Sequence, residues 1–179
     1  METRTSLSVS ESFRAHEFCE TQGGFTDLSL SANTGKINPT MPFTFINPES
    51  LGPARGYANG VLAPAGGRLL FIAGQIAWDT EQRIVSADFV AQFDQALANV
   101  MTVITAAGGK PENLAQLTVY VTDKSEYAAR TREIGACWRN RLGRHYPAMA
   151  LVEVKSLLED AAQVEIEGIA VICEQNRQD

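Results

Sequence analysis

Phe89, Phe93, Leu97, Val100 and Ile104 recur at steps of four, four, three and four, the spacing of one apolar face of an α-helix. Ser86 offers an N-cap, and Asp88 falls in the first turn, where the helix dipole favours a carboxylate. Gly108 and Gly109 end this helix, and Pro111 prevents its return. A second stripe of Tyr127, Thr131, Ile134, Trp138 and Leu142 predicts one helix over residues 125–142, with Gly143 as its stop. Arg139, Arg141, Arg144 and His145 crowd its last turn, where the dipole favours cations.

Between and around the helices the period changes to two. Leu117, Val119 and Val121 alternate with Thr118, Tyr120 and Thr122, which predicts a strand with one apolar face. Two closing strands are predicted over residues 148–155 and 163–173, separated by a short polar break. Upstream, residues 57–63 and 68–75 are short apolar runs joined by Pro64, Ala65, Gly66 and Gly67, a cluster that suggests a hairpin. Leu69, Leu70, Phe71 and Ile72 are apolar on both faces, so this strand is expected to be covered on both sides. Strands, helix, strand, helix and strands together predict an α+β fold, a mixed sheet with two helices on one face. The chain has no further helices for the opposite face, and oligomerisation is the simplest cover.

Residues 1–40 read differently, being rich in Ser, Thr, Gly and Asn. Phe13, Phe18 and Phe25 show no sustained period there, so a loosely packed extension is expected, with the globular domain over residues 41–179. Met41 could itself be a natural start.

The chain has 15 basic and 21 acidic residues, a net charge of -6. That balance argues against sequence-independent binding to a polyphosphate backbone, although a local basic patch is compatible with it. No apolar run reaches the ~20 residues that span a bilayer, and the N-terminus lacks a secretory pattern. Cys19, Cys137 and Cys173 are odd in number, dispersed and without CxxC spacing, so they read as free thiols in a reducing compartment. The expected location is the cytoplasm, with no membrane partner.

Little classical chemistry is spelled out. Two histidines, His16 and His145, and three scattered cysteines do not make a zinc site, and neither a metal nor a cofactor is expected. His16 has no identifiable partner, and His145 reads as a helix cap. Cys137, next to Trp138, reads as partly buried. Gly66-Gly67 and Gly108-Gly109 lack the strand–loop–helix context of a phosphate cradle. Glu165 and Glu167 lie on one face of a strand, roughly 7 Å apart by the strand rise. One of that pair is expected to face a cleft and the other to be structural. Met149 and Leu151 share a face and read most simply as apolar lining.

From Phe43 to Cys173 the chain carries Gly56-Tyr57-Ala58-Asn59, Ala73-Gly74-Gln75-Ile76 and Ala106-Ala107-Gly108-Gly109. Thr118-Val119-Tyr120-Val121-Thr122-Asp123, Pro147-Ala148 and Glu165-Ile166-Glu167 follow. Each motif is weak alone, and the set is strong in order and spacing; on it the chain resembles the RidA/YjgF family. The resemblance implies a chorismate-mutase-like fold, a homotrimer whose clefts lie between subunits, and hydrolysis of enamines or imines of small metabolites.

Residue by residue, the resemblance is incomplete. Active members carry an arginine that grips the ligand carboxylate, and Met149 stands at that position. Leu151 replaces a common cysteine, Ala73 a serine and Thr131 an asparagine. Tyr57 and Glu165 remain as the catalytic candidates. Gly74 and Tyr120, both inside matched motifs, join Met149, Leu151, Ala73 and Thr131 as candidate substrate contacts. Arg55 and Arg144 are the candidate substitute clamps. The leading expectation is an enamine or imine deaminase with a non-standard substrate. A trimer that binds a small molecule without chemistry is the alternative. An endoribonuclease activity, a label some members carry, is disfavoured by the acidic balance and the absence of an aromatic-and-basic stripe.

Overall fold

The computed structural model describes residues 43–173, so the expectations for residues 1–40, for His16, Cys19 and Met41 lie outside the described part. Two short strands, β1 (Thr44–Ile46) and β2 (Gly60–Leu62), pair antiparallel with each other. The main sheet contains β3 (Arg68–Gln75), β4 (Leu114–Val121), β5 (Ala148–Glu153) and β6 (Val164–Ile172) in the order β3-β6-β4-β5. β6 pairs antiparallel with both β3 and β4, and β4 pairs parallel with β5, which makes the sheet mixed. Helix α1 (Phe89–Ala106) follows β3, and α2 (Lys124–Ala129) and α3 (Thr131–Leu142) connect β4 to β5. No helix among the described residues is long and apolar enough to cross a membrane.

All five stripe residues of α1 are buried, with Phe93 at 1% and Leu97, Val100 and Ile104 at 0% exposure. They pack on Leu117, Val119 and Val121 of β4 and on Val164 and Ile166 of β6, the faces that alternation turns toward the helices. Ile134, Trp138 and Leu142 of α3 close the same core. Trp138 donates its indole N–H to the His145 carbonyl at 3.0 Å. The His145 ring lies 2.6 Å from the Leu114 carbonyl through Nε2, and since a carbonyl only accepts, that nitrogen carries the proton. His145 therefore ties the end of α3 to the start of β4.

Three expectations change. The cap of α1 is Asp88 and not Ser86: its carboxylate accepts from the Ala91 N–H at 2.9 Å, while Ser86 Oγ accepts from the Asp88 N–H at 3.0 Å. The helix predicted over residues 125–142 is two helices broken at Arg130, whose backbone leaves the helical region at φ -113°, ψ 21°. The guanidinium of Arg130 instead gathers Asp88 at 2.6 Å, Glu133 at 2.7 Å and Glu126 at 3.5 Å. The predicted hairpin does not form, because β2 pairs with β1 while β3 takes β6 as its partner. The turn chemistry was real, since Gly66 has φ +84°, but a turn dictates direction and not which strand fills the gap. Within one chain, β3 is covered on one side: Ile72 is buried toward α1, whereas Leu69 and Phe71 are 60% and 72% exposed, the face for which oligomerisation is the expected cover.

Candidate functional site

The site forms where β3 loses register against β6. Ile72 pairs with Gly168 and Gln75 with Ile166, so three steps on β3 match two on β6 and one residue is extra. Such a bulge bends the strand and re-aims its neighbours. Here it lifts Ala73 and Gly74 out of the ladder, and the Gln75 side-chain amide donates to both of their carbonyls, at 3.1 and 3.3 Å. Glu165, the residue before Ile166, lays its side chain across Gly74. A β-carbon at position 74 would sit 2.7 Å from the Glu165 carboxyl carbon and nearer still to one oxygen. Only glycine leaves that space.

A small cleft of about 180 Å³ opens beside this carboxylate. It is lined by Gly74 and Gln75 of β3, Ile76 and Trp78 just after it, Glu165 of β6, and Leu158 and Glu159 of the 154–163 loop. Two of these segments are held by polar residues on one face of α1. Gln92 has no solvent exposure, donates to the Ser86 and Ala161 carbonyls at 2.8 and 2.9 Å and accepts from the Gln163 N–H at 2.8 Å. It thereby ties to α1 the end of the 154–163 loop, the loop that carries Leu158 and Glu159. Asn99 donates to the Ile76 and Trp78 carbonyls at 2.9 and 3.2 Å, and Gln95 to Trp78 at 3.4 Å. Residues 92, 95 and 99 lie on one side of a helix by their spacing.

Glu167 shares the open face of β6 with Glu165 but has a different environment. It accepts a hydrogen bond from the Tyr120 hydroxyl at 2.8 Å. This bond, with burial and the negative charges of Glu167 and Glu165, pushes the Tyr120 phenol above its ordinary value. Tyr120 lies opposite Glu165 in the β4–β6 register, so it stands between the two carboxylates with its proton committed to Glu167.

The remaining sequence candidates do not join this cleft within one chain. Met149 and Leu151 register with Leu117 and Val119 of β4, both fully buried under the helices, and Met149 packs against that core. They face the opposite side of the sheet from Glu165. Two strand spacings and three residue rises also separate Met149 from Glu165, roughly 14 Å within the sheet. Tyr57 belongs at the Met149 end: Ala58 bridges Ala148 and donates its N–H to the Pro147 carbonyl at 3.0 Å. Tyr57 is 40% exposed, and Arg55 beside it is exposed too. Arg144 is exposed in the turn after α3, and Thr131 is exposed at the first position of α3. Neither Arg55 nor Arg144 lines the Glu165 cleft. Cys137 is half-buried, and burial and the nearby Asp94 carboxylate push its thiol upward, away from the thiolate a nucleophile needs.

Sequence reasoning missed Trp78, Leu158 and Glu159. Trp78 follows the Gly74-Gln75 motif closely enough to have been suspected. Leu158 is 94% exposed in a polar break without period, and nothing in the pattern links it to a strand.

The Endoribonuclease L-PSP family model matches residues 48–172. A RutC family protein of Pasteurella multocida is 36% identical over 105 residues, which cover 59% of this chain and 81% of its own. The 2-iminobutanoate/2-iminopropanoate deaminase of Escherichia coli is 34% identical over 127 residues, 69% of this chain and 91% of that one. Among solved structures, a Rid family protein from Yersinia pestis is similar with TM-score 0.66 and 32% identity, covering 73% of this chain and 99% of that one. The YjgF gene product of Escherichia coli aligns with TM-score 0.53 and 33% identity, covering 69% of this chain and 91% of that one. By sequence, by family model and by fold, this chain belongs to the RidA/YjgF family.

Proposed function

We propose that this protein hydrolyses the imine or enamine form of a small metabolite, with Glu165 as the group that handles the water proton. The observation that carries the reading is the Glu165 carboxylate laid over Gly74 at the mouth of a small cleft, clear of the Tyr120–Glu167 hydrogen bond. A carboxylate so held can accept a proton from a water attacking the imine carbon while the C=N electron pair moves to nitrogen. The same proton then passes to the amine; the C–N bond breaks as the carbinolamine hydroxyl gives its proton to Glu165 and the C=O bond forms, and the departing ammonia takes that proton. A protonated imine and one water yield a carbonyl compound and an ammonium ion. The deaminase name of the Escherichia coli relative supports this reaction class.

The open sheet face supports a trimer as the working unit. Leu69 and Phe71 leave a large apolar surface on β3. Because Met149 and Tyr57 lie far from Glu165 in one chain, a second copy could bring its own Met149 and Tyr57 to a cleft between subunits. With Met149 in that position, no guanidinium on β5 grips a carboxylate. Hydrogen bonds to charged groups contribute about 1.5–3 kcal/mol each, so an iminoacid loses its strongest handle. A second reading, ligand binding without turnover, draws on the same substitution.

Ammonia release from neutral enamines and from the iminoacids of serine and threonine deamination tests the proposal. Turnover of a neutral imine that falls about 10²- to 10⁴-fold in Glu165→Gln supports it. No turnover of any imine, with a ligand bound equally by wild type and Glu165→Gln, favours the binding reading. Fast wild-type turnover of the iminoacids would assign the clamp to another cation, such as Arg55 or Arg144, and Met149→Arg would then add little.

A further inference from the structure

The walls of the Glu165 cleft carry a second message, about charge. Within one chain, two of the lining residues carry carboxylates, Glu159 and Glu165, and none is a lysine or an arginine. The rest of the polar lining is the Gln75 amide, already turned toward the carbonyls of Ala73 and Gly74. Trp78 and Leu158 supply apolar surface, and an indole face also attracts cations. A volume of about 180 Å³ lies below the roughly 300–1,000 Å³ of clefts that take drug-sized ligands, so the occupant has few heavy atoms.

We infer that this cleft selects a small substrate with a positively charged nitrogen, a short apolar chain and no carboxylate, and that Glu159 is a specificity-determining residue. The inference rests on the reading of the cleft as the substrate site and adds the substrate class to it. Two carboxylates facing one cleft favour a cation and repel an anion. A protonated imine is such a cation, and it is also the form most readily attacked by water. Glu165 is needed for the chemistry, whereas Glu159 lies on the 154–163 loop and contributes charge alone. Gln92 ties Ala161 and Gln163, at the end of that loop, to α1.

Three probes with one isobutyl group separate charge from shape: isobutylammonium, isovaleramide and isovalerate. Calorimetric titration of the full chain should rank them in that order, with the ammonium bound at least about tenfold more tightly than the carboxylate. Glu159→Gln should reduce that preference about three- to tenfold and leave isovaleramide binding unchanged. In a hydrolysis assay the same variant should raise KM for a cationic imine more than it lowers kcat. Isovalerate bound as tightly as isobutylammonium, a preference untouched by Glu159→Gln, or no binding of any probe would overturn the inference. The hydrolase proposal fails separately: the ranking can hold while no imine releases ammonia, and iminoacid turnover without the ranking sinks only the charge selectivity.

Discussion

The carboxylate of Glu165 occupies the space that a side chain on Gly74 would fill, with the carboxyl carbon 2.7 Å from the position of a β-carbon. Gly74 has no positive φ, so alanine is acceptable to its backbone, and the far end of a glutamate is free to swing aside. Gly74→Ala should therefore cost less than about 1 kcal/mol of stability, within the range of a mild substitution. Activity should fall toward that of Glu165→Gln, because the carboxylate is displaced. Thermal melts and turnover measured together check this. A variant that melts like wild type and turns over like wild type would show that the position of Glu165 over Gly74 is irrelevant to function.

A second expectation concerns Tyr120 and Glu167. The phenol is held above its ordinary value in the folded chain, so its contribution to stability is complete below about pH 10, the usual tyrosine value. Above that pH the unfolded chain loses the proton first, and the contribution is lost as pH rises toward the folded value. Wild type should lose stability more steeply above pH 10 than Tyr120→Phe, as read by denaturant titration across alkaline pH. Equal slopes would mean that the bond to Glu167 does not hold the proton.

Arg130 sets the opposite limb. Its hydrogen bonds lower the carboxyl groups of Glu133 and Asp88 below their usual values of 4.5 and 3.8, the Asp88 shift being helped by the Ala91 N–H. Folded values below unfolded ones give stability that is present above those usual values and lost as pH falls through the folded ones. Arg130→Gln should flatten the decline of stability with acid below about pH 4.5. It should also loosen the junction of α2 and α3, visible as faster amide exchange there. An unchanged acid profile would show the cluster to be inert.

Assembly is checked through β3. Phe71→Asp puts a charge on the open apolar face without touching the α1 core, since Phe71 is 72% exposed. The wild type is expected near three times the 19.4 kDa chain mass by light scattering, and the variant near one. A wild-type monomer at micromolar concentration would remove the trimer from the proposal.

The helical layer was legible because five apolar residues from Phe89 to Ile104 keep one period and all meet the sheet. The order of the sheet was not. β6 enters between β3 and β4 from the far end of the chain, and no local signal in Arg68 to Gln75 names a partner a hundred residues away. The break at Arg130 has no proline or glycine to announce it, and the one distant partner of its guanidinium, Asp88, lies 42 residues away. At the site, motif position pointed to Glu165 and Gly74. The contacts of Trp78, Leu158 and Glu159 with the same cleft depend on a bulge and a loop whose sequences carry no period.

The amide face of α1 has one more consequence. Gln92 holds the end of the 154–163 loop and Asn99 the stretch from Ile76 to Trp78, and both sit on the same rigid rod. Seven residues of helix rise about 10 Å, and that rise acts as a spacer bar between them. The backbone anchors at Ile76, Trp78, Ala161 and Gln163 cannot close on one another without bending that helix. If the cleft takes the substrate, the spacing of its backbone is a gauge that the fold has already cut.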